Sequence, residues 1–396
     1  MENIFVSNIK IINVRHLKDI NISLPKDEVK HLILTGKNGS GKTSVLDALA
    51  YYLFIVSVSD SKAKTAREKN TIARLTRYAN ELNSMINGID VEFNKPVNVL
   101  RDQFEEGRFI LAYYKAERLF KADVPKHVEK VILKEKYTIQ EEPRKLFIKY
   151  LVDLKVTEAL TRNNGNIPKA ESIKQWFIKL ENLLREIFDD QSLELIFEED
   201  TFRFFIKEPN RKLFDFNTLS SGFAAVLDIV LDIIMRMEKA TNRTFDFNLP
   251  GIVLIDEIET HLHLELQKTV LGLLTSFFPN IQFIVSTHSP FILNSLDNVV
   301  IYDLENNIAV ENGLSNIPYS GIVEGYFRAD LMSNILKEKY TKYKELVVKE
   351  KLSDDDFGEI ADLEMFLNEI PDYLALNITT EYQRLKAEFE QREDIE

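Results

Sequence analysis

Eight consecutive residues, Gly36-Lys37-Asn38-Gly39-Ser40-Gly41-Lys42-Thr43, combine backbone freedom, one cation and one hydroxyl at the spacing G-x-x-x-x-G-K-[ST]. That spacing suits a polyphosphate. The glycines let backbone N–H groups close around phosphate oxygens, Lys42 can reach the β- and γ-phosphates, and the Thr43 hydroxyl can ligate Mg²⁺. The flanks agree: His31–Thr35 reads as a short buried strand, and Ser44–Leu49 opens a helix whose N-terminus adds its positive dipole end. Strand, glycine loop and helix together predict a nucleotide site made of Gly36, Asn38, Gly39, Ser40, Gly41, Lys42, Thr43 and Ser44, with a nucleoside triphosphate and Mg²⁺ as its ligands.

Three further groups carry chemistry. Ile252-Val253-Leu254-Ile255 is an apolar strand ending in Asp256-Glu257. An acid at that end of a parallel strand lies where ligands bind in such sheets, so Asp256 is expected to hold Mg²⁺ and Glu257 to polarise an attacking water. His288, in Ser286-Thr287-His288-Ser289-Pro290, follows the next strand and can reach a γ-phosphate; taken alone it would be a satisfied buried histidine. Leu219-Ser220-Ser221-Gly222 is a serine–glycine turn opening a helix, either a plain N-cap or a second anion site.

The surrounding elements are those of an α/β protein. Residues 1–35 alternate in short runs and read as a small β-meander. Residues 60–88 and 145–188 have helical spacing, the latter broken at Asn163–Asn166. The runs Leu193–Phe197 and Phe202–Ile206 alternate like antiparallel strands. Beyond Leu219, apolar strands at 252–255, 281–285 and 299–302 are separated by helices, which predicts a parallel sheet covered on both faces. From about Asn316 only helices are expected.

The composition, 45% hydrophobic and 29% charged over 396 residues, is that of an ordinary soluble globular protein. With no cysteine, disulfides and thiolate metal sites are excluded. No signal peptide or membrane-length apolar run is read, which points to the cytoplasm. The net charge is −13; residues 351–396 hold 4 Lys+Arg against 14 Asp+Glu, a net of −10, leaving −3 for the rest. A near-neutral body gives DNA binding little support. The acidic segment suits a solvated helical surface or the dock of a basic partner.

In this order, the phosphate loop, Leu219-Ser220-Ser221-Gly222, Ile255-Asp256-Glu257 and Thr287-His288 resemble the ATP-binding-cassette ATPase heads of the SMC, RecF and OLD type. Glu259-Thr260-His261-Leu262-His263 is similar to the D-loop region of the OLD-like branch. The resemblance covers residues 1–305 and implies a mixed sheet with a parallel core and helices on both faces, an antiparallel β subdomain, and a short helical lid at about 60–106 and 120–190. A helical, acidic region would occupy 306–396. The signature departs from the better-known L-S-G-G-Q, and no clear Q-loop glutamine is present. Lys115-Ala116-Glu117-Arg118 resembles the A-E-R element of small defence ATPases, which would place Glu117 near the metal and Arg118 near the phosphates.

The resemblance further implies head-to-head closure of two subunits around two ATP, as a homodimer or higher homo-oligomer. Ser220, Ser221 and Gly222 of one subunit would meet the nucleotide of the other, with Glu257, His288 and Lys42 acting in hydrolysis. Residues 306–396 are too short and too helical for the Toprim nuclease domain of OLD enzymes, and Asp354-Asp355-Asp356 is read as a solvated run. The tail instead looks like that of stand-alone ATPases of bacterial anti-phage systems such as Septu and PARIS. Those work with a separate effector, a nuclease or toxin. The competing reading is a RecF-like DNA-repair clamp whose partner is DNA.

Overall fold

The computed structural model describes residues 3–58, 88–118, 120–125, 127–209, 211–327, 333–369 and 376–392. The helix expected over residues 60–88 falls almost wholly outside them. The chain divides into two compact units, Met1–Ile317 and Pro318–Glu396.

The first unit is built on a six-stranded sheet in the order β11-β10-β3-β9-β8-β5. Five strands are parallel: β3 (His31–Thr35), β5 (Ile110–Tyr114), β8 (Gly251–Ile255), β9 (Ile281–Ser286) and β10 (Val299–Asp303). Every residue of β3, β8, β9 and β10 is buried, so their near-continuous apolar runs reflect cover on both faces. The short edge strand β11 (Ile308–Val310) adds antiparallel to β10 and was not legible as a strand. It carries the first unit past residue 305.

The N-terminal meander is corrected. β1 (Val6–Val14) and β2 (Leu17–Ser23) do form a hairpin, but their third partner is β4 (Ile89–Phe93), giving the order β2-β1-β4. β3 joins the parallel sheet instead. The burial patterns explain the division: β2 and β4 alternate like strands with one wet face, whereas β3 has none.

The helix Lys42–Val58 links the two sheets. Its Val45, Leu46, Leu49 and Leu53 share one core with Ile9, Ile11, Ile20 and Ile22 of the small sheet and with Leu32, Leu34, Leu254 and Ile284 of the large one. The intervening residues Ile33, Val253, Phe283 and Ile301 are equally buried, as two-sided cover requires.

Between β5 and the signature lies a subdomain of two helices, Phe147–Asn163 and Ile167–Phe188, and the antiparallel hairpin β6 (Glu194–Glu198)–β7 (Arg203–Lys207). The expected helical lid over 120–190 is shorter than that. Residues 120–142, where described, contain no helix, and regular structure begins with the single turn Pro143–Leu146. Val131, Leu133, Tyr137 and Ile139 are buried there at odd positions, the alternation of extended chain. In the 60–106 stretch, β4 and the helix Val97–Glu105 are seen.

The second unit packs the helices Asn334–Val347, Asp354–Asn368 and Leu376–Glu390. Tyr343, Ile360, Leu363, Leu367 and Tyr382 fill its centre. Asp354-Asp355-Asp356 forms the first turn of a helix capped by Ser353, with Asp356 completing a capping box. The run is therefore an N-terminal helix signal rather than the solvated loop expected.

Candidate functional site

Parallel register places the C-terminal ends of β3, β8 and β9 side by side: Leu34 pairs with Ser286, and Ile255 with Val285. Each strand then ends in a residue with chemistry. β3 runs into the phosphate loop, β8 into Asp256-Glu257, and β9 into Thr287-His288.

The loop conformation requires glycine at two points. Gly36 has φ +131°, and a Cβ there would lie 2.8 Å from Ser40 Oγ; Gly41 has φ +97°, and its Cβ would lie 2.8 Å from Leu17 Cδ1. Lys42 is buried and curls back, donating to the carbonyls of Gly36 at 2.9 Å and Lys37 at 3.1 Å. Burial lowers its pKa, opposed by Glu257, Glu259, Asp256 and Asp303. On the outer side of the loop, Lys37 pairs with Glu305 at 2.7 Å. Gly39 also has positive φ, and Ser44 is buried at the helix start.

A chain of short hydrogen bonds joins the three strand ends. Thr43 Oγ1 donates to Asp256 Oδ2 at 2.9 Å, and Ser286 Oγ donates to Asp256 Oδ1 at 2.6 Å. The same Ser286 oxygen accepts the N–H of Glu257 at 2.7 Å. Glu257 has φ +43°, a left-handed backbone that strains a non-glycine residue. Its Oε2 accepts from Thr260 Oγ1 at 3.2 Å. The His288 N–H donates to Glu259 Oε1 at 2.5 Å. Its imidazole pKa is lowered, first by burial and then by Lys42.

The donor set fits a hard divalent cation. Thr43 Oγ1 and Asp256 Oδ2 are neighbouring oxygens 2.9 Å apart, and no group of three acidic, histidine or cysteine side chains suited to a metal occurs among the described residues. Mg²⁺ is usually held by one or two protein oxygens, with phosphates and water completing the octahedron, which is what this pair can offer.

One expectation is corrected at the end of β5. Glu117 is exposed on the segment that follows this strand. Arg118 is 4% exposed and turns away from the phosphate role: its terminal nitrogens donate to the carbonyls of Lys115, Asp256, Glu257 and Ile258 at 2.7–3.0 Å. Sequence could not anticipate this, because the acceptors are main-chain atoms.

The signature residues stand on another element. Ser220 caps the helix Ser221–Met237 through its backbone without a side-chain bond, and both serine side chains are exposed. Gly222 is buried, and a Cβ there would approach His261 O at 3.2 Å, so the helix start packs on the 261–263 loop. Ser220, Ser221 and Gly222 share no hydrogen bond with the phosphate loop of their own chain among the described residues.

Two residues of this site were seen in the motifs without a role. Ser286 bridges Asp256 to Glu257, and Glu259 caps the His288 backbone. The only signal for either was position: the last residue of a buried strand, and the second acid after Asp256.

Residues 32–294 match the family AAA_21, described as "AAA domain, putative AbiEii toxin, Type IV TA system". The match spans every strand of the large sheet except β10 and β11, together with the whole chain of hydrogen bonds above. This chain belongs to the AAA_21 family. Family membership carries a nucleotide-binding ATPase domain. The chain is 29% identical over 317 residues to "Septu protein PtuA" of Bacillus mycoides (strain KBAB4), covering 76% of this chain and 41% of that protein. It is 35% identical over 145 residues to "Retron Ec83 probable ATPase" of Escherichia coli, covering 35% and 26%. It therefore spans less than half the length of either relative. An SMC head solved with the C-winged helix domain of ScpA aligns over 80% of this chain and all of that one, at 17% identity and a TM-score of 0.41. Among the described residues, no helix is long and apolar enough to cross a membrane.

Proposed function

We propose that this AAA_21 chain binds and hydrolyses ATP, closes head to head with a second copy around two nucleotides, and in doing so controls a separate effector, a nuclease or toxin, in anti-phage defence. The observation that carries the reading is the chain Thr43–Asp256–Ser286–Glu257, which ties the Thr43 hydroxyl, the Asp256 carboxylate and the Glu257 backbone together along one edge of the sheet. Lys42 and the loop N–H groups would neutralise the phosphates. Thr43 and Asp256 would hold Mg²⁺, which supplies charge stabilisation on the β- and γ-oxygens. Glu257 would accept a proton from water, and His288 would contact the γ-phosphate.

Dimerisation is supported by what the signature lacks. The Ser220 and Ser221 hydroxyls are exposed at a helix N-terminus, where an anion is favoured, and among the described residues they bond none of their own chain's phosphate loop. A phosphate presented by a partner subunit would use them. The effector step rests on the Septu and retron relatives and on the resemblance to stand-alone defence ATPases. The test is recovery of tagged Glu257→Gln from its native host with Mg-ATP, scoring copurified protein and nucleic acid. A stoichiometric nuclease-like or toxin-like protein supports the reading. DNA without such a protein favours a RecF-like clamp instead.

A further inference from the structure

Glu257 sits in a backbone conformation that side chains other than glycine adopt at a cost of about 1–3 kcal/mol, so the fold must hold it there. Ser286 grips its N–H. The carbonyl side is gripped by one residue. Arg118 Nη1 donates to Asp256 O at 2.7 Å, and Nη2 donates to Glu257 O at 3.0 Å and Ile258 O at 2.8 Å. Three successive carbonyls thus converge on one guanidinium, which a regular strand, pointing alternate carbonyls to opposite sides, cannot arrange. The bond from Arg118 Nη1 to Lys115 O at 3.0 Å ties the same group to the turn after β5.

The arginine is committed to this work. It is 4% exposed, and no carboxylate accepts a hydrogen bond from it among the described residues; its charge is balanced at longer range by Asp228, Glu259, Asp256 and Glu257. Asp228 is fully buried on the helix Ser221–Met237, where it pairs with Arg144. A planar fork with donors on two nitrogens can span four carbonyls; a lysine ammonium, with three donors on one atom, cannot.

We propose that Arg118 is the positioning residue for Glu257, a backbone staple that keeps the turn after β8 left-handed and so aims the Glu257 carboxylate at the attacking water. The proposal rests on the reading of Glu257 as the base. It separates two functions that a phosphate-binding arginine would join: nucleotide affinity resides in the phosphate loop and is untouched, whereas turnover depends on Arg118. A displacement of about 1 Å at a catalytic group costs on the order of 100-fold in rate.

The test uses the full-length chain and its Arg118→Ala and Arg118→Lys variants, with wild type and Glu257→Gln alongside. A fluorescent ATP analogue gives Kd, and phosphate release gives kcat. Both Arg118 variants should bind nucleotide within about threefold of wild type and lose about 100-fold in kcat. Millimolar guanidinium should restore part of the Arg118→Ala activity, and methylammonium should not. Should Arg118→Ala fail to fold, Arg118→Lys alone decides. Wild-type kcat in Arg118→Lys overturns the staple, and so does an affinity loss that matches the kcat loss. If Glu257→Gln turns over like wild type, the base reading itself falls, a failure distinguishable from that of Arg118 alone.

Discussion

Ser286→Ala is the sharpest perturbation of the site, because one oxygen joins its two acids. The Ser286 hydroxyl is fully buried, donates to Asp256 Oδ1 at 2.6 Å and accepts the Glu257 N–H at 2.7 Å. Alanine removes a hydrogen bond to a carboxylate, worth about 1.5–3 kcal/mol, and orphans a part-buried N–H, at about 1–3 kcal/mol. The losses are coupled, so their joint effect is taken as about 2–5 kcal/mol. Unfolding entropy of about 2.1 cal/mol/K per residue, over the 317 residues of the first unit, gives roughly 0.7 kcal/mol/K. The melting temperature should therefore fall by about 3–7 °C. A water cannot restore the bridge, since deleting a single oxygen leaves less room than a water needs. Scanning calorimetry gives the shift, and phosphate release should show kcat reduced beyond what the unfolded fraction explains. A melting point within about 1 °C of wild type, with kcat unchanged, would refute the claim that Ser286 couples Asp256 to Glu257.

Other consequences are equally direct. His31 is buried, its Nδ1 accepts the Phe283 N–H at 3.1 Å, and burial lowers its pKa to about 4. Its folded pKa lies below the unfolded value, so its contribution is present above pH 6.5 and is lost as pH falls toward 4. Wild type should lose about 2 kcal/mol more than His31→Asn between pH 7.5 and pH 5 in urea titrations; parallel curves would show that the histidine does not titrate as described. Gly313 has φ +65°, and its Cβ would lie 2.1 Å from Leu296 O, so Gly313→Ala should cost at least about 2 kcal/mol in the same assay. Lys42→Ala should abolish binding of a fluorescent ATP analogue while keeping the far-ultraviolet spectrum of wild type; retained affinity would remove Lys42 from the phosphate site.

How much of this was legible follows from what each signal measures. The phosphate loop and the apolar strands 252–255 and 281–285 were readable because glycine spacing and two-sided burial leave strong local patterns. The pairing of β1 with β4 was not, since an alternating strand says which face is wet but not which neighbour it finds across 75 residues from Val14 to Ile89. The lid bound at residue 120 came from the family resemblance and not from periodicity, which read helices there only over 145–188; where described, residues 120–142 hold no helix. Arg118 was placed near the phosphates by the resemblance of Lys115–Arg118 to the A-E-R element, whereas its partners are carbonyls that no side-chain pattern encodes. Ser286 was seen only as the first residue of the motif around His288, and its role appears once the fold sets it beside Asp256.

The central claim is ATP-driven closure of two heads, and the direct measurement is the solution mass of Glu257→Gln by size exclusion with light scattering, in Mg-ATP and in Mg-ADP. The account predicts that ATP, unlike ADP, doubles the mass with one nucleotide retained per chain, and that adding Ser221→Arg abolishes the doubling without loss of ATP binding. A chain that binds ATP stoichiometrically at unchanged mass, or that dimerises equally with Ser221→Arg in place, would contradict it.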